Sequence, residues 1–348
     1  MTSAVHDEFR AVARDLLAKG RADWPTLAAS GWLGLEVPEA LGGAGATFAE
    51  VAIVCEELGR AAAPCPYLGA VVLGIGALIP LPPGPDRDDL LREAARGTIV
   101  LAAALTDEQE DLGSDHRPFR IKKAGSGLVL HGRAAFVPDA DDADCLLLLA
   151  QDVDAGPAIV AARGLEVTSR PVLDETRRLG QVSGDGVPVR QMWRIDQAAV
   201  RALLDRAAVA VACDSLGLAG AMLDATVGYV RVREQFGRPV GSFQAVKHAC
   251  ADMLVSVSVA RELIQAAVRA LADGDPGASV AASMAKSYAC EAAVEVAGKA
   301  MQLHGGIGYT WESGIHVYLK RALLNRSLSG SPAAHRRRLA ARYPLSLS

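Results

Sequence analysis

At 348 residues the chain has room for two or three domains of roughly 150 residues each. With 51% hydrophobic and 22% charged residues it can bury a sizeable core, which excludes a disordered chain. Its 36 Lys and Arg against 40 Asp and Glu leave a net charge of −4 and a pI near 6.0, which excludes the broadly basic surface of a nucleic-acid or anionic-membrane binder.

Residues 1–20 mix acidic and basic side chains in a helical pattern and have no apolar signal core. Helical patterning continues to about residue 97, with breaks at Gly31-Trp32-Leu33-Gly34, at Gly42-Gly43-Ala44-Gly45 and from Pro80 to Pro85. In residues 49–63, Ala52, Ile53, Cys55 and Leu58 recur at helical intervals with Glu56, Glu57 and Arg60 between them. The longest apolar stretch, 69–81, is interrupted by glycines and too short to span a bilayer. Residues 98–195 have a different texture. Short apolar runs at 99–105, 128–130, 145–149 and 158–161 alternate with Gly, Pro and Asp, which predicts strands. Pro118, Pro138, Pro157, Pro171 and Pro188 exclude long helices from this zone.

Beyond residue 196 the helical pattern returns at greater length. Val246, Cys250, Met253, Val257, Ala260, Ile264, Val268 and Leu271 step by three or four, which predicts a long helix packed in a bundle and stopped at Gly274-Asp275-Pro276-Gly277. A second helix is predicted over 278–303. The 64 alanines suit closely packed helices. Three domains follow: helical 1–97, β 98–195 and helical 196–348, an α+β chain. The cysteines at 55, 65, 145, 213, 250 and 290 form no CxxC and no zinc-spaced cluster. Reduced, mostly buried thiols, no metal and a cytoplasmic location are the expectation. Trp24, Trp32, Trp193 and Trp311 are expected in cores or domain seams.

Two segments join glycines to polar groups: Arg233-Glu-Gln-Phe-Gly-Arg-Pro-Val-Gly-Ser-Phe-Gln244 and Gln302-Leu-His-Gly-Gly-Ile-Gly-Tyr-Thr-Trp-Glu312. Arg231 and Arg233 are either cations favoured by a helix C-terminus or guanidinium groups for a pyrophosphate. Gly305-Gly306 either caps a helix or lets a ligand approach the backbone. Arg336-Arg337-Arg338 is either a solvated helix face or a second phosphate contact.

Taken together, these segments resemble the acyl-CoA dehydrogenase family over nearly the whole chain. Gly34-Leu-Glu-Val-Pro-Glu-Ala-Leu-Gly-Gly-Ala-Gly45 and Cys55-Glu-Glu-Leu-Gly59 are similar to its N-terminal helical domain. His131-Gly132, Ala143-Asp144, Asp174-Glu-Thr-Arg-Arg178 and Asp185-Gly-Val-Pro188 are similar to its central β domain. The resemblance implies an N-terminal helical domain, a central β-barrel domain, a C-terminal four-helix bundle, and FAD completed across a subunit interface. It implies FAD contacts from Arg233, Gln235, Phe236 and Gln244 on the pyrophosphate and adenosine side, and from Gln302, Gly305 and Gly306. On the flavin-ring side the run from Thr106 to Ser114 is two residues longer than the family's, and Phe136 and Pro138 stand where relatives have Trp and Thr. Thr106, Ser114 and Phe136 are therefore weaker cofactor candidates.

The family reaction removes an α-proton from an acyl-CoA by a glutamate, which occupies one of two positions. In this chain they hold Ser329 and Ala207, and neither is a carboxylate. Asp205 matches a position that contacts the pantetheine of CoA in relatives, and Glu312 an acid with no catalytic role. The His304-to-Glu312 and Ser331-Pro-Ala-Ala-His-Arg-Arg-Arg338 wording resembles glutamate-lacking subunits of actinobacterial α2β2 members that degrade sterol side chains. Three readings follow: a glutamate-lacking subunit of a heteromeric dehydrogenase passing electrons to an electron-transferring flavoprotein; a homo-oligomeric dehydrogenase using a relocated base such as Asp205; and a scaffold or binding protein of the same fold.

Overall fold

A computed structural model describes residues 3–20, 22–106, 117–125, 127–152 and 155–342. Chain packing divides it into two compact units: Met1–Gly20, Ala52–Ala63 and Ala208–Ser348 form one, and Arg21–Val51 with Pro64–Ala207 the other. Along the chain, helices give way to strands and then to long helices, the expected α+β order.

Helix α1 (Ser3–Ala18) belongs to the first unit; the second opens with α2 (Trp24–Ala29), whose N-cap Asp23 accepts the Thr26 N–H at 2.9 Å. The glycine break at 31–34 becomes a 3-10 turn, Trp32–Gly34, and the break at 42–45 follows a second, Glu39–Leu41, capped by Gly42. The apolar stretch near residue 70 is a fully buried π-helical segment, Leu68–Ile75, running into α4 (Gly76–Leu78). Gly69 is required there. A Cβ would strike the Pro138 carbonyl and the Asp139 carboxylate, which accepts the Gly69 N–H at 2.8 Å. Helix α5 (Pro85–Ala95) opens with Pro at its first turn and Asp86 and Asp88 near the positive end of its dipole.

Among the described residues eight strands form one mixed sheet: β1 (Leu101–Ala104), β2 (Phe119–Ala124), β3 (Gly127–Pro138), β4 (Cys145–Asp152), β5 (Gly156–Ala162), β6 (Glu166–Arg170), β7 (Leu179–Pro188) and β8 (Gln191–Arg194). Their order is β6-β7-β3-β2-β4-β5-β8, with β1 also on β4; the β1–β4 and β2–β4 ladders are parallel and the rest antiparallel. The apolar start of β4 is central and buried on both faces. Phe119, Ile121, Leu130, Leu148, Val160 and Val182 make the core. Strand β3 bulges twice against β7, between Leu130 and His131 and between Ala134 and Val137.

The other unit is helical. Helix α1 (Ser3–Ala18) is tied to α3 (Phe48–Arg60) by Arg10 on Glu56 and Arg14 on Glu57. Helix α6 (Gln197–Val232) is 36 residues long, and from Ala208 onward it belongs to this unit. Gly59 of α3 lies against the Asp214 carbonyl and Gly217 of α6 against the Glu56 carbonyl, so the two helices touch backbone to backbone. Helix α7 (Gln244–Ala272) buries Met253, Val257, Ala260 and Ile264, the centre of the predicted stripe, and Ala267 in place of the half-buried Val268. It packs on α8 (Ala278–His304), whose buried Ala282, Ala285, Ala289, Ala292, Ala293, Ala297 and Ala300 permit close approach. Helices α9 (Ile315–Ser327) and α10 (Pro332–Arg342) also pack on α8. Inside this bundle Arg321 holds Asp214 through two nitrogens and gives a third hydrogen bond to the Ala63 carbonyl.

Helix α6 is long and apolar enough to cross a membrane, but 89% of that apolar window is buried inside the protein, as in a core helix. Trp32 is buried as expected, and Trp24 donates to the Gly97 carbonyl at 3.0 Å. Trp311 departs from the expectation. It is 72% exposed on a short 3-10 turn, with Lys320 over its ring and His316 edge-on to it.

Candidate functional site

Helix α6 ends at Val232, and the chain reverses in a hairpin of β9 (Glu234–Gln235) and β10 (Arg238–Pro239). The two turn residues, Phe236 at φ 53° and Gly237 at φ 75°, are both left-handed, as a two-residue turn of mirror-image type requires. The turn is built to display Phe236: the ring is 90% exposed, edge-on to Phe243, with Arg238 stacked over Phe243 at 4.1 Å. Arg233 and Gln235 are exposed on the same hairpin, and the exposed Gln244 starts α7.

The second segment begins in the last turn of α8, where Gln302 is exposed. Gly305 ends the helix at φ 62° and ψ −141°, a conformation restricted to glycine, and a Cβ on Gly305 or Gly306 would meet nothing within 4 Å. The backbone here is open to a ligand on its outer side. The two segments are joined at their roots: Tyr229, one turn before Arg233, stacks on His304, with centroids 4.4 Å apart and planes 22° apart. These features fit the diphosphate and adenosine side of a dinucleotide, with an exposed guanidinium, exposed amides and an unobstructed glycine backbone.

The ring-side candidates lie in the sheet-bearing unit. Thr106 is half-buried just past β1, and Ser114 lies outside the described residues. Phe136 is half-buried in the second bulge of β3 at φ 53°, and Asp139 follows at φ 59°. Two left-handed non-glycine residues within four positions mark a strained backbone, of the kind concentrated at ligand sites. Pro138 between them offers neither hydroxyl nor N–H.

Ser329 follows the end of α9 in a tight turn, at φ 54°, with Gly330 at φ 88°. Two buried groups hold this turn. His335 Nε2 donates to the Ser329 carbonyl at 2.9 Å, and Lys286 Nζ donates to the carbonyls of Gly330, Asn325 and Arg326 at 2.8, 3.1 and 3.4 Å. Burial pushes the Lys286 ammonium below its ordinary range and the His335 imidazole down to about 4. Neither adds a carboxylate to the turn.

Ala207 and Asp205 are both buried in the first turns of α6. Between them is a residue the sequence reading passed over. Arg206 pairs through two nitrogens with Glu36, donates through Nε to the Val72 carbonyl at 2.8 Å, and stacks on Phe48 at 4.6 Å. A lone arginine beside the alanine-rich run that follows was the available signal. Glu312 is exposed, and its own N–H and the Thr310 hydroxyl hold its carboxyl below the usual range, which suits a structural acid. Arg336 pairs with Glu291 at the surface, a solvated helix face.

Comparison with known proteins places these observations. Residues 2–81 match the N-terminal domain and residues 197–343 the C-terminal domain of acyl-CoA dehydrogenases. The acyl-CoA dehydrogenase IpdE2 of Mycolicibacterium smegmatis is 34% identical over 88% of this chain and 83% of its own length. FadE34 of Mycobacterium tuberculosis is 31% identical over 92% of this chain but 43% of that protein. Among solved structures, a variant of the Tcur3481–Tcur3483 steroid ACAD superposes with a TM-score of 0.87 at 31% identity over 97% of both chains. The ChsE4–ChsE5 complex of Mycobacterium tuberculosis gives a TM-score of 0.90 at 25% identity over 100% and 99%.

Proposed function

This chain belongs to the acyl-CoA dehydrogenase family, and on that premise we propose that it is the glutamate-lacking subunit of a heteromeric, FAD-dependent enzyme that desaturates an acyl-CoA thioester. The observation that carries the reading is a contrast. The surface around Arg233 and Gly305-Gly306 offers what an adenosine diphosphate needs, while both positions for the base hold side chains that cannot take a proton at neutral pH, Ser329 and Ala207. Bound FAD supplies the acceptor for the β-hydride; the protein supplies placement. Arg233 neutralises diphosphate oxygens, Gln235, Gln244 and Gln302 meet polar edges, and Gly305 and Gly306 admit close approach. Phe236 presents a ring where a neighbouring chain would come into contact. The α-proton acceptor then comes from a glutamate-bearing partner in an α2β2 assembly, and electrons leave to an electron-transferring flavoprotein. The steroid description of one structural relative supports a bulky, sterol-derived acyl group as substrate.

The test is to purify the chain alone and co-expressed with a glutamate-bearing relative, and to measure flavin content and acyl-CoA oxidation. Turnover in the complex only is expected; robust turnover by the lone chain overturns the reading. A second reading rests on the buried Asp205, just over two turns inside α6. As a relocated base it requires that Asp205→Asn abolish turnover of the lone chain with FAD retained.

A further inference from the structure

The helical unit contains a cavity of about 370 Å³ that the proposed chemistry does not use. It lies between α6, the end of α8 and the start of α9, within the size range of small-ligand sites. Its apolar lining includes Met222 and Ile315, both buried, with Ala225 exposed at the rim. Both rings of the Tyr229–His304 stack line one side. Aromatic side chains there favour a planar ring, packed against a face or an edge.

The polar groups of the cavity share one property: their hydrogens are already committed. His304 Nδ1 lies 2.7 Å from the Ala300 carbonyl, which can only accept, so Nδ1 carries the proton. In the neutral ring Nε2, on the side away from that carbonyl, is then a bare acceptor. The Ser313 hydroxyl donates to the Thr310 carbonyl at 3.0 Å, and the Tyr318 hydroxyl to the Arg60 carbonyl at 3.1 Å. The Ser313 oxygen also accepts the Ile315 N–H at 3.4 Å and keeps one lone pair, the Tyr318 oxygen keeps its lone pairs, and neither has a second hydrogen. Three acceptors around an apolar, aromatic-lined cavity select for a donor and against an anion.

We propose that this cavity is a binding site for a neutral aromatic compound of one to three rings bearing an O–H or N–H group. The ring packs against the Tyr229–His304 side, and its donor is taken up by His304 Nε2, Ser313 or Tyr318. None of these side chains is proposed to touch FAD, although the Tyr229–His304 stack also joins the two segments proposed to hold it.

The full-length protein should be titrated by calorimetry with 2-naphthol and with 2-methoxynaphthalene, which keeps the rings and lacks the donor. Binding of 2-naphthol is expected, with the methyl ether weaker by about fivefold or more, the worth of one hydrogen bond. Ala225→Phe, at an exposed rim position, should weaken 2-naphthol by about tenfold or more at an unchanged melting temperature. Ser313→Tyr narrows the other side and should do the same if the first variant folds poorly. Equal binding of the two compounds, undiminished binding in both variants, or no binding at millimolar ligand would each overturn the proposal.

Discussion

His335 sits at the centre of the residue-scale chemistry, because both its ring nitrogens are used inside the bundle. Nε2 gives a hydrogen bond to the Ser329 carbonyl, and Nδ1 lies 3.3 Å from the Ser283 hydroxyl. Burial, with Lys286 and Arg338 nearby, lowers its pKa to about 4, against about 6.5 for an unfolded histidine. A lowered folded value means that the unfolded chain binds the proton first. The stability from neutral His335 is complete above pH 6.5 and is lost as the pH falls from about 6.5 to about 4, a difference of about 3 kcal/mol. Urea unfolding at pH 7.5 and pH 4.5 should show this slope, and His335→Gln, which keeps a donor and an acceptor, should flatten it. An equal slope in the variant would assign the acid sensitivity to carboxylates elsewhere. Lys286→Met is the companion case. It removes a donor shared by three buried carbonyls at the end of α9, and should cost about 3 kcal/mol in the same assay. Neither residue was visible in the sequence, where Lys286 reads as one polar position in an alanine-rich helix and His335 as part of a basic tail. Their partners are main-chain carbonyls from a turn some 40 positions away for Lys286, and composition carries no record of such contacts.

At the scale of elements, helix crossing depends on two glycines. Replacing an exposed mid-helix glycine by alanine ordinarily stabilises by about 1 kcal/mol. At Gly217 the added methyl meets the Glu56 carbonyl and the Arg60 N, and at Gly59 it meets the Asp214 carbonyl, all of them backbone atoms that no rotamer change can move. The clash outweighs the propensity gain, so Gly217→Ala should destabilise by about 2 kcal/mol or more and lower the melting temperature by several degrees. Gly298→Ala, with open space around the site on α8, is the control and should leave the melting temperature level or raised. Such elements were largely legible. Periodicity located α7 to within a few residues, because a buried face recurring every three or four positions has one geometric solution, and the Gly274–Gly277 break set the start of α8. The strands of residues 98–195 were legible as a class from their proline and glycine punctuation. Their order was not, since β1 and β2 both pair in parallel with β4, and parallel partners leave no turn signature. The π-helical Leu68–Ile75 segment escaped for a related reason: its sequence is apolar all round, and no period distinguishes it.

For the whole molecule, the positions that resemble FAD contacts are also the positions that a single chain leaves uncovered. Phe236 is 90% exposed, Val232 76%, and Tyr309 and Trp311 72% each, all in the helical unit. Large side chains in this number on two short segments support the partner contact proposed above. The candidate site was legible in the sequence as residue types; its openness was not, because exposure is a property of the folded surface. If Arg233 meets the diphosphate across that surface, Arg233→Ala should remove a charge-assisted contact and weaken FAD by about 10- to 100-fold in the assembled enzyme. The mass of the complex should be unchanged. Arg233→Lys should restore part of the affinity, since it keeps the charge and loses the paired geometry. Phe236→Ser should act differently, lowering the fraction of assembled complex, with flavin lost in proportion. Light scattering paired with the flavin-to-protein absorbance ratio separates the two effects. Flavin retained at full affinity in Arg233→Ala would remove the hairpin from the cofactor site and leave it as an assembly contact alone.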